Sequence, residues 1–292
     1  MTRSLLLGLI GAGVGPSLTP RLHEAEAAAN GLRCVYRLLD LDALGDSPET
    51  AVELVSAAAK LGYDGLNVTH PCKQVVVEHL DELSPEAAQL GAVNTIVLQD
   101  GCAIGYNTDG VGFARSLARG LPDAPLDRVV LLGAGGAGAA VAHALLSMGT
   151  SALTIVDIDV ARAAALAAVA QGWFGGTATA AAPSALSATL RDADGLVHAT
   201  PTGMAGHGGL PLPAGLLRPD LWVADIVYRP LRTALIRAAE EVGCRVLTGA
   251  GMAVFQAAEA FRLFTGMAAN AERMLRHFTE LAQAERPSWD AA

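Results

Sequence analysis

The stretch RVVLLGAGGAGAAVAHALLSMGTSALTIVD, Arg128–Asp157, decides the fold. Val129–Leu132 is a short apolar, β-branched run of the kind that forms a buried parallel strand. Gly133, Gly135 and Gly138 follow it in a G-x-G-x-x-G pattern. The first permits a tight turn, the second lets the backbone approach a pyrophosphate, and the third lets a helix pack close to the strand. The spacing predicts a helix from about Ala137 to Met148, with Gly149 at its C-cap. Gly133, Gly135, Gly136, Ala137 and Gly138 are therefore the candidate phosphate cradle, because a helix N-terminus offers free N–H groups and a positive dipole end. A second strand, Leu153–Val156, leads to Asp157, whose carboxylate can accept both ribose hydroxyls of NAD. A 2′-phosphate there would meet like charge. Ile158 adds no cation, and Arg162 is the one residue nearby able to reach the adenosine end. NAD is the expected cofactor, with NADP the less favoured alternative.

Outward from this unit, composition sets bounds. The 292 residues leave room for one large or two medium domains, and 52% apolar content is ample for a core. A net charge of −9 disfavours nucleic acid or an anionic membrane as partner. It also means that an anionic substrate must be captured by local groups. The four cysteines, Cys34, Cys72, Cys102 and Cys244, form no C-x-x-C pair. Reduced thiols and a cytoplasmic protein are expected. No apolar run reaches the ~20 residues of a membrane span. The histidines make no metal-ligand spacing with the cysteines, so no metal is expected.

Along the chain, strands are expected at Leu5–Ile10, Val35–Leu39, Asp64–Val68, Ala92–Leu98 and Cys102–Tyr106, the last two as a hairpin around Gln99-Asp100-Gly101. Helices are expected at about Arg21–Asn30, Pro48–Leu61, Pro71–His79 and Pro85–Leu90, and from NTDG (107–110) to about Arg119. After Asp157, βα units alternate to the two closing helices at about Met252–Phe264 and Asn270–Ala284. This is an α/β fold with mostly parallel sheets. The glycine turn begins near residue 133, so some 110 residues precede the cofactor unit, and they are the place for substrate.

Polar residues collect near strand ends in that first part: Asn67, Thr69, Lys73, Asn94 and Asp109. In open α/β sheets ligands bind outside the carboxyl ends of the strands. Taken singly, Lys73 reads equally well as a solvated lysine and Asp109 as a helix cap. Ser17 and Thr19, just before the first helix, also read as caps. Lys60 and Lys73 are the only lysines in the chain.

SLTP with His23, NVTHPCK, GAVNT, YNTDG, GAGGAG, ATPTGM, DIVYRP and GAGMAVFQAAEAF occur in order between about Gly8 and Gly266. In these motifs the chain resembles the shikimate dehydrogenase family, in particular its quinate/shikimate dehydrogenase branch. The resemblance implies an N-terminal α/β substrate domain, a Rossmann-type doubly wound NAD-binding domain, and C-terminal helices returning to the first. The boundaries so implied are 1–112 with 249–292 for the substrate domain and 113–248 for the dinucleotide domain. It implies Lys73 and Asp109 as the catalytic pair, Ser17 and Thr19 on the substrate carboxylate, and Asn67, Thr69, Asn94, Asp109 and Gln256 on ring hydroxyls. It implies Thr200 and Met204 lining the nicotinamide pocket, Tyr228 nearby, and Gly251 at or beside the carboxamide.

Three positions depart from the pattern. Thr19 stands where many members have Ser. Asp157-Ile158-Asp159 stands where NADP-using members have Asn-Arg-Thr. His198 replaces a common Asn. The expected reaction is hydride transfer between quinate or shikimate and their 3-dehydro ketones, by a monomer or homodimer. A shikimate-only or aminoshikimate dehydrogenase, and a non-catalytic NAD- and acid-binding regulator, are the alternatives.

Overall fold

The computed structural model describes residues 4–45 and 47–284. The chain forms two compact units: one of residues up to Thr108 together with those from Gln256 onward, the other Asp109–Phe255.

The first unit carries β1 (Ser4–Gly11), β2 (Arg33–Asp40), β3 (Gly65–Val68), β4 (Glu82–Leu83), β5 (Thr95–Gln99) and β6 (Cys102–Tyr106). They form one sheet of order β2-β1-β3-β5-β6-β4. β1 pairs parallel with β2 and β3, whereas β5 runs antiparallel to β3 and β6. The β5–β6 hairpin turns on Asp100 and Gly101, both at positive φ (52° and 80°), as a two-residue turn matching strand twist requires. Helices α1 (Thr19–Ala29), α2 (Leu41–Leu44), α3 (Thr50–Lys60) and α4 (Pro85–Leu90) connect the strands. Both sheet faces are covered, which explains why β1 is apolar almost without alternation. Leu5, Leu7 and Leu9 pack with Tyr36, Ala260 and Phe264 on one face. Ile10, Leu66, Val68 and Ile96 pack with Ala51, Val55 and Ala58 of α3 on the other.

The second unit opens with α5 (Asp109–Gly120), followed by β7 (Arg128–Leu132), α6 (Gly136–Ser147), β8 (Ala152–Val156), α7 (Val160–Ala170), β9 (Thr177–Ala181), α8 (Leu186–Arg191), β10 (Gly195–His198), β11 (Trp222–Asp225), α9 (Ala234–Val242) and β12 (Val246–Leu247). The sheet is parallel throughout, with order β12-β11-β10-β7-β8-β9. Numbered within the unit, this is 3-2-1-4-5-6 read from the other edge, the doubly wound dinucleotide-binding order. Its topological switch point falls between β7 and β10. α6 is buried from Ala140 to Leu146 on nearly every side, which its unbroken alanine and leucine content permits. α10 (Gly249–Thr265) continues the chain, its residues from Gln256 belonging to the first unit, and α11 (Ala271–Ala284) follows. Within the first unit α11 is tied to α1 by the buried carboxylate of Glu26, which accepts from Arg273 Nε at 2.8 Å and Nη2 at 2.7 Å and from the Asn270 N–H at 2.7 Å.

The segment 71–79 differs from expectation. In place of one helix it forms turns ending in a 3₁₀ turn at Val77–His79. The carbonyl of Lys73 is taken by the N–H of Val93 at 2.8 Å, and three consecutive valines, 75–77, disfavour a regular helix.

Candidate active site

The glycine turn lies at the end of β7. Gly133 has φ +107°, and a Cβ there would sit 2.5 Å from the Ala199 carbonyl oxygen. A Cβ on Gly138 would sit 2.1 Å from the Gly133 oxygen. The first glycine is thus required by backbone conformation, the last by the approach of α6 to the turn. Gly135 and Gly136 face open space. Gly135 is the N-cap of α6 and no side chain caps the helix, so its leading N–H groups, including that of Ala137, are available to an anion. This cradle fits a pyrophosphate.

Asp157 follows β8 and is buried, with three donors on its carboxylate. Oδ2 accepts from the N–H of Ala134 at 2.7 Å, and Oδ1 accepts from the N–H of Asp159 at 2.9 Å and from Arg162 Nη2 at 2.7 Å. Burial by itself would raise this carboxyl's pKa. The Arg162 hydrogen bond and charge and the two N–H donors outweigh burial and hold it below the usual aspartate range. Asp159 caps α7 by accepting from the Arg162 N–H at 3.1 Å. Ile158 is 90% exposed and the Arg162 side chain is half exposed.

At the end of β10, Thr200 to Met204 form a closed turn. Met204 N–H donates to Pro201 O at 3.0 Å and Gly203 N–H to His207 O at 2.6 Å. Met204 is exposed and Thr200 half-buried. Tyr228 lies just beyond β11; burial pushes its phenol pKa up, against the opposing charge of Arg229. Gly251 lies in the first turn of α10, where a Cβ would collide with Ser116 Oγ of α5 at 2.0 Å. Close helix packing accounts for this glycine.

Apart from Asp109, the remaining candidates lie in the first unit. Asn67 is the penultimate residue of β3 and is 6% exposed. Its Oδ1 accepts from the Tyr36 hydroxyl at 2.7 Å, while Nδ2 donates to the Asn94 carbonyl at 3.2 Å and to Thr95 Oγ1 at 3.0 Å. Both amide hydrogens are therefore spent, and a ligand can meet only the carbonyl oxygen. Burial, with the nearby Cys34 adding to it, pushes the Tyr36 phenol pKa well above its ordinary value, which keeps that hydroxyl a donor. Asn94 precedes β5 instead of ending a strand. Because β5 is antiparallel to β3, this still sets it beside the carboxyl end of β3, its carbonyl accepting from the Val68 N–H at 2.8 Å. Asn94 Oδ1 accepts from Thr108 N–H at 2.8 Å and Thr108 Oγ1 lies 3.4 Å from Gln256 Oε1. Thr69 N–H donates to Ile10 O at 2.9 Å, and Lys73 lies half-buried in the turn beyond.

Ser17 and Thr19 are half-buried. The N-cap of α1 is Leu18, without a side-chain hydrogen bond, so neither hydroxyl is the cap. They hydrogen-bond each other at 3.0 Å, and Ser17 Oγ accepts the Thr19 N–H at 3.2 Å. Asp109 is buried at the start of α5, as its first residue and not as a preceding cap. Sequence reasoning missed Tyr36, which orients Asn67, and Asp225, which holds His198. Asp225 closes the otherwise apolar strand WVAD, a signal that could have marked it, whereas Tyr36 sits in the mixed strand RCVYRLLD and carries none. Among the described residues no group of three or more His, Cys, Asp or Glu is placed to hold a metal ion, and no helix is long and apolar enough to cross a membrane. None of the four cysteines is in a disulfide.

Comparison with known proteins agrees with this geometry. Residues 9–96 match the shikimate dehydrogenase substrate binding domain and residues 249–277 the shikimate 5′-dehydrogenase C-terminal domain. The chain is 62% identical to a shikimate dehydrogenase (NADP(+)) of Streptomyces avermitilis over 280 residues, 96% of each chain. It is 46% identical to a quinate/shikimate dehydrogenase (NAD(+)) of Corynebacterium glutamicum, covering 96% of this chain and all of the relative. The solved structure of quinate dehydrogenase from Corynebacterium glutamicum in complex with NAD superposes with a TM-score of 0.90 at 45% identity, covering 96% of this chain and 100% of that one. With the doubly wound unit, its glycine turn and near full-length identity, the chain belongs to the shikimate dehydrogenase family.

Proposed function

We propose that this family member is an NAD-preferring dehydrogenase that oxidises both quinate and shikimate at a ring hydroxyl. The observation that carries the cofactor reading is Asp157, a buried carboxylate held ionised at the end of β8. A ribose diol can donate to it; a 2′-phosphate meets its charge. The exposed Ile158 beside it offers the phosphate no partner. The substrate reading rests on Thr19 next to Ser17, and agrees with the relative from Corynebacterium glutamicum whose name gives both acids and NAD(+).

A bound nicotinamide supplies the carbon that accepts the hydride. In our reading Lys73 accepts the proton of the reacting hydroxyl, and Asp109 holds that hydroxyl and the lysine. Ser17 and Thr19 donate to the ring carboxylate without adding a full charge to the pocket. Asn67 accepts from a ring hydroxyl with its remaining lone pair, while Thr69, Asn94 and Gln256 contact the others. The domain boundaries 1–112 with 249–292 and 113–248 belong to the same proposal.

A second reading is a shikimate-specific NADP enzyme. It is favoured by the name of the 62% identical relative and by Arg162, half exposed and able to leave Asp157 for a phosphate. Initial rates with quinate and with shikimate, each with NAD and with NADP, decide between them. The first reading requires activity on both acids and a higher kcat/KM with NAD.

A further inference from the structure

We propose that His198 is a positioning residue for the nicotinamide end of the cofactor, acting through Thr200 and anchored by Asp225. This rests on the reading of Thr200 as part of the nicotinamide pocket.

The last residues of three neighbouring strands stand in one row. Leu132 of β7 pairs with His198 of β10, and His198 with Asp225 of β11. The row crosses the carboxyl edge at the switch point, where the loops after β7 and β10 meet and Ala199 N–H donates to Leu132 O at 2.7 Å. The side chains of His198 and Asp225 are fully buried. His198 Nδ1 lies 2.9 Å from Asp225 Oδ1 and Nε2 lies 2.5 Å from Thr200 Oγ1. Asp225 Oδ1 also accepts from Val227 N–H at 3.0 Å, and Oδ2 from the Thr233 hydroxyl at 2.6 Å.

Hydrogen-bond chemistry gives this chain a direction. A carboxylate only accepts, so Nδ1 carries the proton that faces Asp225. In the neutral ring Nε2 then accepts, and the Thr200 hydroxyl must donate to it. The oxygen of Thr200 accepts in turn from Thr202 N–H at 3.3 Å. With the hydroxyl turned to His198, the methyl of Thr200 points at the glycine turn: Cγ2 would stand 3.0 Å from a Cβ on Gly133. Released from His198, threonine could exchange methyl and hydroxyl by rotating χ1, and the wall beside the glycine turn would change shape and polarity.

A buried charge–histidine–hydroxyl chain is a poor stabiliser, since apolar residues of similar volume often serve as well. Its value here is that it permits one arrangement of a turn at the place where a doubly wound sheet binds its ligand. The turn from Pro201 to Met204 is tied to Thr200 through the threonine side chain, whose oxygen takes the Thr202 N–H.

Two substitutions separate the contacts. In H198N the amide can donate to Asp225 from near the Nδ1 position but does not extend to Thr200. In T200V the hydroxyl is removed while His198 and Asp225 stay paired. T200S keeps the hydroxyl and serves as the rescue. The readout is the Kd of NADH and NADPH, from their fluorescence, beside that of ADP-ribose, which has the adenosine and phosphates but no nicotinamide. We expect H198N and T200V each to weaken binding of the reduced dinucleotide about tenfold, with ADP-ribose unchanged within twofold. The double variant should be no worse than either single one, and T200S should lie within about threefold of the parent. Equal weakening of ADP-ribose, multiplying losses in the double variant, or no loss in H198N overturns the proposal. Failure of the parent to bind either reduced dinucleotide would instead overturn the dehydrogenase reading on which it rests, and the proposal with it.

Discussion

Replacing Asp157 by Asn should turn cofactor preference toward NADP. A 2′-phosphate carries close to two charges, and at about 6 Å from a carboxylate the repulsion is roughly 5 kcal/mol at an effective dielectric of 20. Arg162, 2.7 Å from the same carboxylate and half exposed, offsets part of it, leaving roughly 2–4 kcal/mol. Asn removes the repulsion and frees Arg162 for the phosphate. It also gives a ribose diol a weaker, uncharged acceptor, at about 1–2 kcal/mol. The ratio of kcat/KM for NAD to that for NADP should therefore fall roughly 10²–10⁴-fold. Initial-rate measurements with both cofactors at fixed acid concentration read it directly. Asn can accept from Ala134 N–H but loses the charge that Asp159 N–H and Arg162 now meet, so a stability loss of roughly 1–3 kcal/mol should accompany the switch. Because the Asp157 carboxyl is held below its ordinary range, its contribution is full above about pH 4 and is lost as pH falls through the folded value. The difference in Tm between parent and variant should shrink below that pH. A parent that uses the two cofactors equally, or a ratio unchanged in the variant, would refute the reasoning.

Three further outcomes are expected. K73A should cut turnover by roughly 10²–10⁴ with dinucleotide Kd unchanged; wild-type-like turnover would remove Lys73 from the chemistry. T19S should retain shikimate oxidation and weaken quinate relative to it by about 1–2 kcal/mol, the scale of one methyl in a pocket, and an unchanged ratio of kcat/KM for the two acids would show that Thr19 does not set breadth. His23 is fully buried among Tyr36, Phe261 and Phe264, and neither ring nitrogen has a hydrogen-bond partner among the described residues. Burial, opposed by Glu26, lowers its pKa from 6.5 to about 4. Below pH 6.5 the unfolded chain binds the proton first, so stability should fall by about 2–3 kcal/mol between pH 7 and pH 4.5 on this account; in H23F, urea melts at the two pH values should lose that difference.

What the sequence determined by itself is what neighbouring residues along the chain decide. Gly133, Gly135 and Gly138 are separated by one turn and a helix start, so their roles follow from spacing and from the absence of a side chain. Asp157 is legible for the same reason, since one βαβ unit sets its distance from the turn. The β5–β6 hairpin is legible from Asp100-Gly101. Pairings between distant strands are another matter. The position of β10 beside β7 sets His198 in register with Leu132 and Asp225, yet nothing in the local spacing of residues 195–198 specifies which strand will lie alongside. His198 therefore carried no interpretable signal until the sheet order was known. Asn67 and Asn94 read as polar residues near strand ends, but that Tyr36 and Thr95 consume the Asn67 hydrogen bonds depends on contacts 28 and 31 residues apart. The turns at 71–76 form because Val93, on another element, takes the carbonyl of Lys73. Local sequence sets backbone preference, worth at most about 1 kcal/mol per residue outside proline; the register of two strands and the partner of a buried polar group are set by burial summed over many distant residues, and only the folded chain performs that sum.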